Sequence, residues 1–131
     1  MVMSARSAST QQTASPTLRG NMQMNKIHTI KQLETRIHAL SNLIHTEIAK
    51  AECTNKKQCK ALAMGNKACG GPQHYLPYSI QNTDVNKLVK LSEKHQQLSQ
   101  KLNQLKGVLS DCAVIPKPVF VCLNNRCQKP D

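Results

Sequence analysis

The sequence is poor in the residues that usually fill a protein core, with no tryptophan, one phenylalanine and two tyrosines among 131 residues. Packing must therefore come from aliphatic side chains, in a chain short enough to form one domain. Acidic residues are also scarce, at seven against 18 lysines and arginines, which gives a formal net charge of +11. This excess favours polyanionic partners, although a basic surface can also serve solubility alone.

The sequence also lacks a run of about 18 apolar residues, so it predicts no transmembrane segment. Residues 1–25 are rich in serine, threonine, alanine and glutamine and lack the apolar segment of a signal peptide. We expect this stretch to be a flexible tail or a non-native remnant, because it has little apolar surface to bury. A single disulfide-stabilised helical domain should follow over residues 26–131.

Motifs for catalysis are absent as well. The sequence has no GxSxG, no HExxH and no glycine-rich phosphate loop. Its seven acids show no spacing typical of a paired carboxylate site, and oxidised cysteines would leave no thiolate to act as a nucleophile. We therefore expect no enzymatic activity and no cofactor.

Six cysteines bracket the helical segments described below: Cys53, Cys59, Cys69, Cys112, Cys122 and Cys127. An even number in a small chain with few core residues is typical of disulfides, and it predicts a secreted or periplasmic protein. The alternative is a structural zinc site, which takes its cysteines in close pairs. The closest spacings here are Cys53-x5-Cys59 and Cys122-x4-Cys127, so we expect disulfides and no metal. The sequence leaves the pairing open.

Two segments carry leucine and isoleucine at alternating steps of three and four, the heptad pattern of a helix that packs along one stripe. In residues 26–52 the stripe is Ile30, Leu33, Ile37, Leu40 and Ile44. In the second segment, which begins with Thr83 as its cap and Asp84 as a first-turn acid, it is Leu88, Leu91, Leu98, Leu102, Leu105 and Leu109. The stripes predict a mainly α fold: an antiparallel helical hairpin with a disulfide-stapled connection and a small β ribbon.

The connection of residues 53–82 is too long for an ordinary loop between helices and holds three cysteines. We predict a short strand at residues 60–64 and a tight turn at residues 69–72, where glycines allow positive φ. After the second helix, Pro116 and Pro118 favour an extended chain, and Asn124-Asn125 predicts a hairpin turn. The resulting ribbon should be linked by disulfides to the region between Cys53 and Cys69.

One series of motifs runs through residues 52–127: Cys53-x5-Cys59, Cys69-Gly70-Gly71-Pro72, Tyr75-Leu76-Pro77-Tyr78-Ser79, Thr83-Asp84, Ser110-Asp111-Cys112 and Pro116-x-Pro118-x3-Cys122-x4-Cys127. The series resembles small exported or lipoprotein-type six-cysteine proteins of bacteria. The resemblance implies export and a disulfide framework. It implies no reaction and assigns no ligand.

One position in the stripe of the second helix holds histidine where leucine is expected. His95 should therefore be at least partly buried and sensitive to pH. It is either a pH switch or a core histidine hydrogen-bonded to the partner helix or to water. His38 and His45 lie seven residues apart on one helical face, about 10 Å, which is too far for one metal ion. We expect both to be solvated.

The candidate binding surface is electrostatic. Lys87, Lys94 and Lys101 recur every seven residues on one side of the second helix, with Lys90 beside them. If the helices pair near their midpoints, Arg36 and Lys50 fall on that side, while Glu34 and Lys106 meet on the other. The converging like charges indicate an anionic partner. The alternative is a solvated face in which the long lysine side chains spread apart.

A second basic cluster lies in the connection, at Lys56, Lys57 and Lys60, with Lys67 nearby. Lysines on a loop held by disulfides suit phosphate-rich headgroups. Nucleic acid is a poorer fit, because arginine and stacking aromatic residues are scarce. We therefore predict a secreted, non-enzymatic protein that binds an anionic membrane surface or an acidic protein.

Two other functions are kept as alternatives. An inhibitor or specific interaction module would present residues 69–79, with Tyr75, Leu76 and Tyr78 as its contact residues. The tyrosines could instead cover the disulfides as part of the core. The other alternative is a structural envelope protein whose long helices self-associate. The sequence leaves the oligomeric state open.

Overall fold

The structure is a computed structural model that describes residues 14–49, 52–109 and 112–130, with side chains described from residue 23 onward. Its elements in chain order are helix α1 (Ala14–Ile48), a 3-10 helix (Lys56–Gln58), strands β1 (Cys59–Met64) and β2 (His74–Ser79), helix α2 (Val85–Lys106), and strands β3 (Val121–Leu123) and β4 (Arg126–Gln128). Two helices and two small antiparallel sheets make this a mixed α and β fold. The sequence had predicted a mainly α fold.

Helix α1 is longer at its amino end than the predicted helix of residues 26–52. It begins at Ala14, so residues 14–25 of the expected tail are helical, and residues 1–13 lie outside the described part. At 1.5 Å per residue α1 is about 52 Å long and α2 about 33 Å. The amino-terminal part of α1 therefore extends past α2, where Met24 and Ile27 are exposed.

Helix α2 differs from its prediction at both ends. Asp84 is the N-cap itself, because its side chain accepts a hydrogen bond from the Lys87 N–H. The prediction of Thr83 as the cap and Asp84 as a first-turn acid was therefore wrong, and Thr83 is buried instead. The helix ends at Gly107, which adopts φ +64° as a C-cap. Leu109 therefore lies beyond the helix and is 94% exposed, so its prediction as a stripe residue was wrong.

The two helices pack side by side in opposite directions. Near the end of α1, the Glu47 carboxylate accepts a hydrogen bond from the Asp84 N–H at the start of α2, at 3.3 Å. Earlier in α1, Glu34 pairs with Lys106 in the last turn of α2, at 3.5 Å. The predicted meeting of Glu34 and Lys106 is thus confirmed, and it fixes the register of the two stripes.

The connection between the helices folds into a β hairpin that the sequence revealed only in part. The predicted strand at residues 60–64 is confirmed as β1, and it pairs antiparallel with β2 in the register Lys60↔Tyr78 and Leu62↔Leu76. The partner strand was missed because Pro77 lies inside it, and proline argues against a strand unless that strand is at an edge. In a two-stranded sheet both strands are edges, so Pro77 is tolerated opposite Ala61.

The hairpin packs against one side of α2 through directed hydrogen bonds. The Ser92 hydroxyl and the Gln96 amide both donate to the Ala63 carbonyl, at 2.7 and 3.1 Å. Further along α2, the Asn103 amide donates to the Asn66 carbonyl at 2.6 Å. The core lies beneath this contact and consists of Ile44, Leu62, Met64, Tyr78 and Leu88.

Three disulfides link the connection to the carboxyl-terminal segment: Cys53–Cys122, Cys59–Cys127 and Cys69–Cys112. The predicted β ribbon is confirmed as β3 and β4, joined by a turn in which Asn124 and Asn125 have φ of +53° and +62°. The first two disulfides pack with Phe120 as a second core. Each crosslink closes a loop of more than 40 residues, which the chain-entropy account associates with about 3–5 kcal/mol.

Candidate functional site: the basic flank of the helix pair

The predicted lysines of α2 form one side of an open groove along the helix pair. We call this surface the basic flank and define it by Lys87, Lys90, Lys94, Lys101 and Arg36. Near the start of α2, a groove of about 500 Å³ is lined by three of these lysines together with Leu40 of α1 and Leu91. The lysine ammonium groups therefore border a floor of two half-buried leucines.

A second groove continues the same surface toward the amino end of α1. It has a volume of about 620 Å³, and Lys101 from α2 meets Arg36 and Leu33 from α1 there. Arg36 and Lys101 therefore line one groove, as the expected pairing of the helices requires. The groove also contains Lys31, which sequence reasoning missed. Its spacing of three from His28 and four from Thr35, both in the same groove, was the available signal.

The cations of the basic flank are exposed and have no acidic partners among the described residues. All five side chains are exposed to solvent. Within the described residues, none of the five takes part in an ion pair, whereas Lys106 on the other side is paired with Glu34. The predicted contribution of Lys50 lies outside the described residues. The flank is thus a strip of positive charge without ion pairs in the described part of the chain, and Asp84 is the carboxylate that lines its first groove.

The second basic cluster is separate from this strip. Lys56 and Lys57 belong to the 3-10 helix, which a capping box at Asn55 holds in place next to β3, and Lys60 projects from β1. All three are exposed, but none lines a groove with the helix lysines. Lys67 is used internally, because its ammonium group donates to the Ala113 carbonyl at 2.7 Å.

The tyrosines proposed for protein contact are largely packed inside. Tyr78 is 8% exposed in the core between the hairpin and the helices, where burial raises the pKa of its hydroxyl. Tyr75 is half-buried against the disulfide core, and Leu76 packs against the first core. The alternative that the tyrosines cover the disulfides therefore fits the placement of Tyr75, whereas Tyr78 is part of the separate core between the hairpin and the helices.

The cysteines also include the one close cluster of potential metal ligands found among the described residues. The ligand atoms of Cys53, Cys59 and Cys127 lie within 4.8 Å of one another. All three sulfur atoms are used in disulfides, to Cys122 and between Cys59 and Cys127. A disulfide sulfur is not a thiolate ligand, so this cluster is a structural core in the oxidised chain.

Histidine placement agrees with the sequence at the stripe. His95 is 7% exposed, as expected for a position that replaces leucine, while His38 and His45 are exposed. The hydrogen bond predicted from a core histidine to the partner helix is not found among the described residues, where the Nδ1 atom of His95 has no partner.

Comparison with known proteins gives no relative: no protein-family model, curated protein or solved structure matches this chain. The similarity to bacterial six-cysteine proteins stays a prediction. No helix in the described ranges combines the length and apolar content needed to cross a membrane.

Proposed function

We propose that this protein is a non-enzymatic binding protein of an oxidising compartment, secreted or periplasmic, and that it presents its helical hairpin to an anionic membrane surface. The observation that carries the proposal is the basic flank, a row of exposed cations that form no ion pair in the described part of the chain and that border the grooves between the helices. Three disulfides support the oxidising compartment, since crosslinks of this kind persist where thiols are not kept reduced.

The shape of the strip favours a surface over a single small ligand. Lys87 and Lys101 are 14 positions apart on α2, about 21 Å, and Arg36 adds a cation from α1. A straight row of that length can contact several headgroups at once. Lysine suits this role because it binds phosphate as a point charge and needs no fixed geometry.

The expected strength is that of a reversible peripheral contact. Each lysine or arginine near an anionic membrane contributes about 1 kcal/mol, so five cations give about 5 kcal/mol at low salt. The apolar residues of the groove, Leu40 and Leu91, are half-buried between the helices and offer little for insertion into lipid. Binding should therefore be electrostatic and weakened by salt.

The test is co-sedimentation with vesicles of graded phosphatidylserine or phosphoinositide content. The variant Lys87→Glu, Lys94→Glu, Lys101→Glu should lose at least about 100-fold in affinity, because three favourable charges become unfavourable. A matched control carries Lys26→Glu, Lys117→Glu and Lys129→Glu, which changes net charge equally at exposed lysines off the flank.

Equal losses in the two triple variants would mean that only net charge matters and would refute a specific flank. Absence of binding by the wild type to every vesicle, with salt-sensitive binding to an acidic protein, would move the proposal to a protein surface. The alternative interaction module at residues 69–79 gains no support from Tyr78, whose ring is in the core. Self-association would appear as concentration-dependent sedimentation without vesicles.

A further inference from the structure

On the side of the helix pair away from the basic flank, a pocket of about 390 Å³ opens between α1, α2 and the β1–β2 hairpin. Four of the chain's five histidines line it: His38 and His45 from α1, His74 from β2 and His95 from α2. His95 is buried at its base, and the other three are exposed around it. The histidines are far apart in sequence, so only the packing of the hairpin on the helices brings them together.

The pocket contains a buried polar atom without a partner. The Nδ1 atom of His95 makes no hydrogen bond, although its residue is only 7% exposed. Buried polar atoms in native proteins are almost always paired with protein, water or ligand. The hydroxyls of Ser41 and Ser99 and the amide of Gln73 line the same space. A polar ligand in the pocket would therefore lie beside a buried histidine whose Nδ1 has no partner among the described residues, and beside three polar side chains.

The spacing of the histidines separates two kinds of ligand. A transition metal requires several ligand atoms at about 2.1 Å from one point. Among the described residues, the group that meets a 4.8 Å limit is that of the disulfide cysteines, and the four histidines form no such group. An oxyanion can accept hydrogen bonds from donor atoms that lie farther apart. Its oxygens point outward from the central atom, and each donor lies about 2.8 Å beyond an oxygen. The arrangement suits an oxyanion better than a metal.

We propose that the histidine pocket binds a small oxyanion, such as sulfate or a phosphate group, when its imidazoles are protonated. A protonated imidazole donates from both nitrogens, so Nδ1 of His95 becomes a charged donor. His74 and His45 place further positive charge beside it. Glu34 is the one carboxylate that lines the pocket, and its charge is already matched by Lys106 at 3.5 Å.

Proton uptake links this site to pH. Burial lowers the pKa of His95 below its ordinary value of 6.5, and positive charge on His74 and His45 lowers it further. Without an anion, His95 therefore resists protonation. A bound oxyanion counteracts both the burial and the repulsion from the other histidines, because its negative charge stabilises the protonated imidazole. In the pH range between the His95 pKa of the free protein and the higher His95 pKa of the complex, the affinity for the oxyanion should rise about tenfold for each unit by which the pH falls, for each proton taken up.

The experiment is calorimetric titration with inorganic sulfate, which stays a dianion over the range used, at about pH 5.5 and about pH 7.5 with chloride holding ionic strength constant. We expect saturable binding of one sulfate, at least about tenfold tighter at the lower pH, with histidine imidazole NMR signals shifting on addition. His95→Leu restores the leucine of the stripe, removes the donor and should abolish binding. Lys129→Gln, which removes an exposed cation outside the pocket, should leave it unchanged.

Sulfate binding that ignores pH, or that is equal in wild type and His95→Leu, overturns the proposal, and so does saturable Zn²⁺ binding without sulfate binding. If His95→Leu fails to fold, His74→Gln serves as the second variant. His74 is exposed, so its replacement should leave the fold intact and still weaken sulfate binding several-fold. Vesicle binding distinguishes a free anion from a lipid headgroup as the ligand of the pocket. If the ligand is a headgroup, His95→Leu should lower vesicle binding at about pH 5.5, and if it is a free anion, vesicle binding should not change. The triple lysine-to-glutamate variant keeps its pocket, so failure of one site does not imply failure of the other.

Discussion

The two sides of the helix pair differ in whether their polar side chains have partners within the described protein. On the side covered by the β1–β2 hairpin, Ser92, Gln96 and Asn103 each donate to a backbone carbonyl of the connection. On the basic flank, the lysines of α2 are exposed and have no acidic partner in the described structure. These three polar groups of the covered side are paired with the connection, whereas the exposed charges of the flank contribute nothing visible to stability. The comparison therefore separates the side that stabilises the fold, which also holds the histidine pocket, from the exposed side available to an extended anionic surface.

The largest difference in stability should appear when leucines of the α2 stripe are truncated. Leu88 is fully buried between α1 and the hairpin, so Leu88→Ala should cost about 2–5 kcal/mol. Leu91 is half-buried beside the basic flank, and Leu91→Ala should cost clearly less. Denaturant unfolding with disulfides intact measures both. Equal losses would show that the covered side is not the principal core.

Removing the hydrogen bonds of the covered side should have a smaller effect. The Ala63 carbonyl accepts from both Ser92 and Gln96, so either donor compensates in part for loss of the other. The double variant Ser92→Ala, Gln96→Ala should cost about 2 kcal/mol, more than either single variant. Lys90→Ala with Lys94→Ala on the basic flank serves as the matched pair and should change the unfolding free energy by less than about 0.5 kcal/mol. A larger loss in the lysine pair would contradict the separation of roles.

The smallest predicted effect is a pH dependence confined to the covered side. Because the folded protein holds the His95 pKa below 6.5, the unfolded chain binds the proton more readily. The stabilisation is complete above pH 6.5 and is lost as pH falls toward the folded pKa. Unfolding midpoints in chloride buffer should therefore decrease on acidification, and His95→Leu should decrease less. If the unfolding midpoints of the wild type and His95→Leu decrease in parallel with pH, His95 is not the source of the pH dependence.

Much of the helical framework could be predicted from the sequence because it depends on local periodicity. The stripes place Leu33, Ile44 and Leu88 in the core, and the heptad register correctly brings Glu34 to Lys106. Gly107 ends α2 before Leu109 can join its stripe. Periodicity alone extends the stripe to Leu109, and the error is avoided only when the glycine is read as a C-cap.

The hairpin and the histidine pocket could not be predicted in the same way. Pairing of β1 with β2 is a contact between distant segments, and Pro77 hid the second strand. His74 reaches the pocket only because that strand forms and packs on the helices beside His95. Of the candidate site, the sequence predicted the lysines and Arg36 but missed Lys31, whose position depends on how the two helices cross.

The salt dependence of membrane binding tests the central claim most directly. Wild-type protein would be sedimented with phosphatidylserine-containing vesicles from about 50 mM to about 500 mM sodium chloride, over which the Debye length shortens about threefold. If the exposed cations of the basic flank form the binding surface, affinity should fall at least about tenfold across this series. Affinity that stays constant with salt would contradict the account and assign the +11 charge to solubility alone.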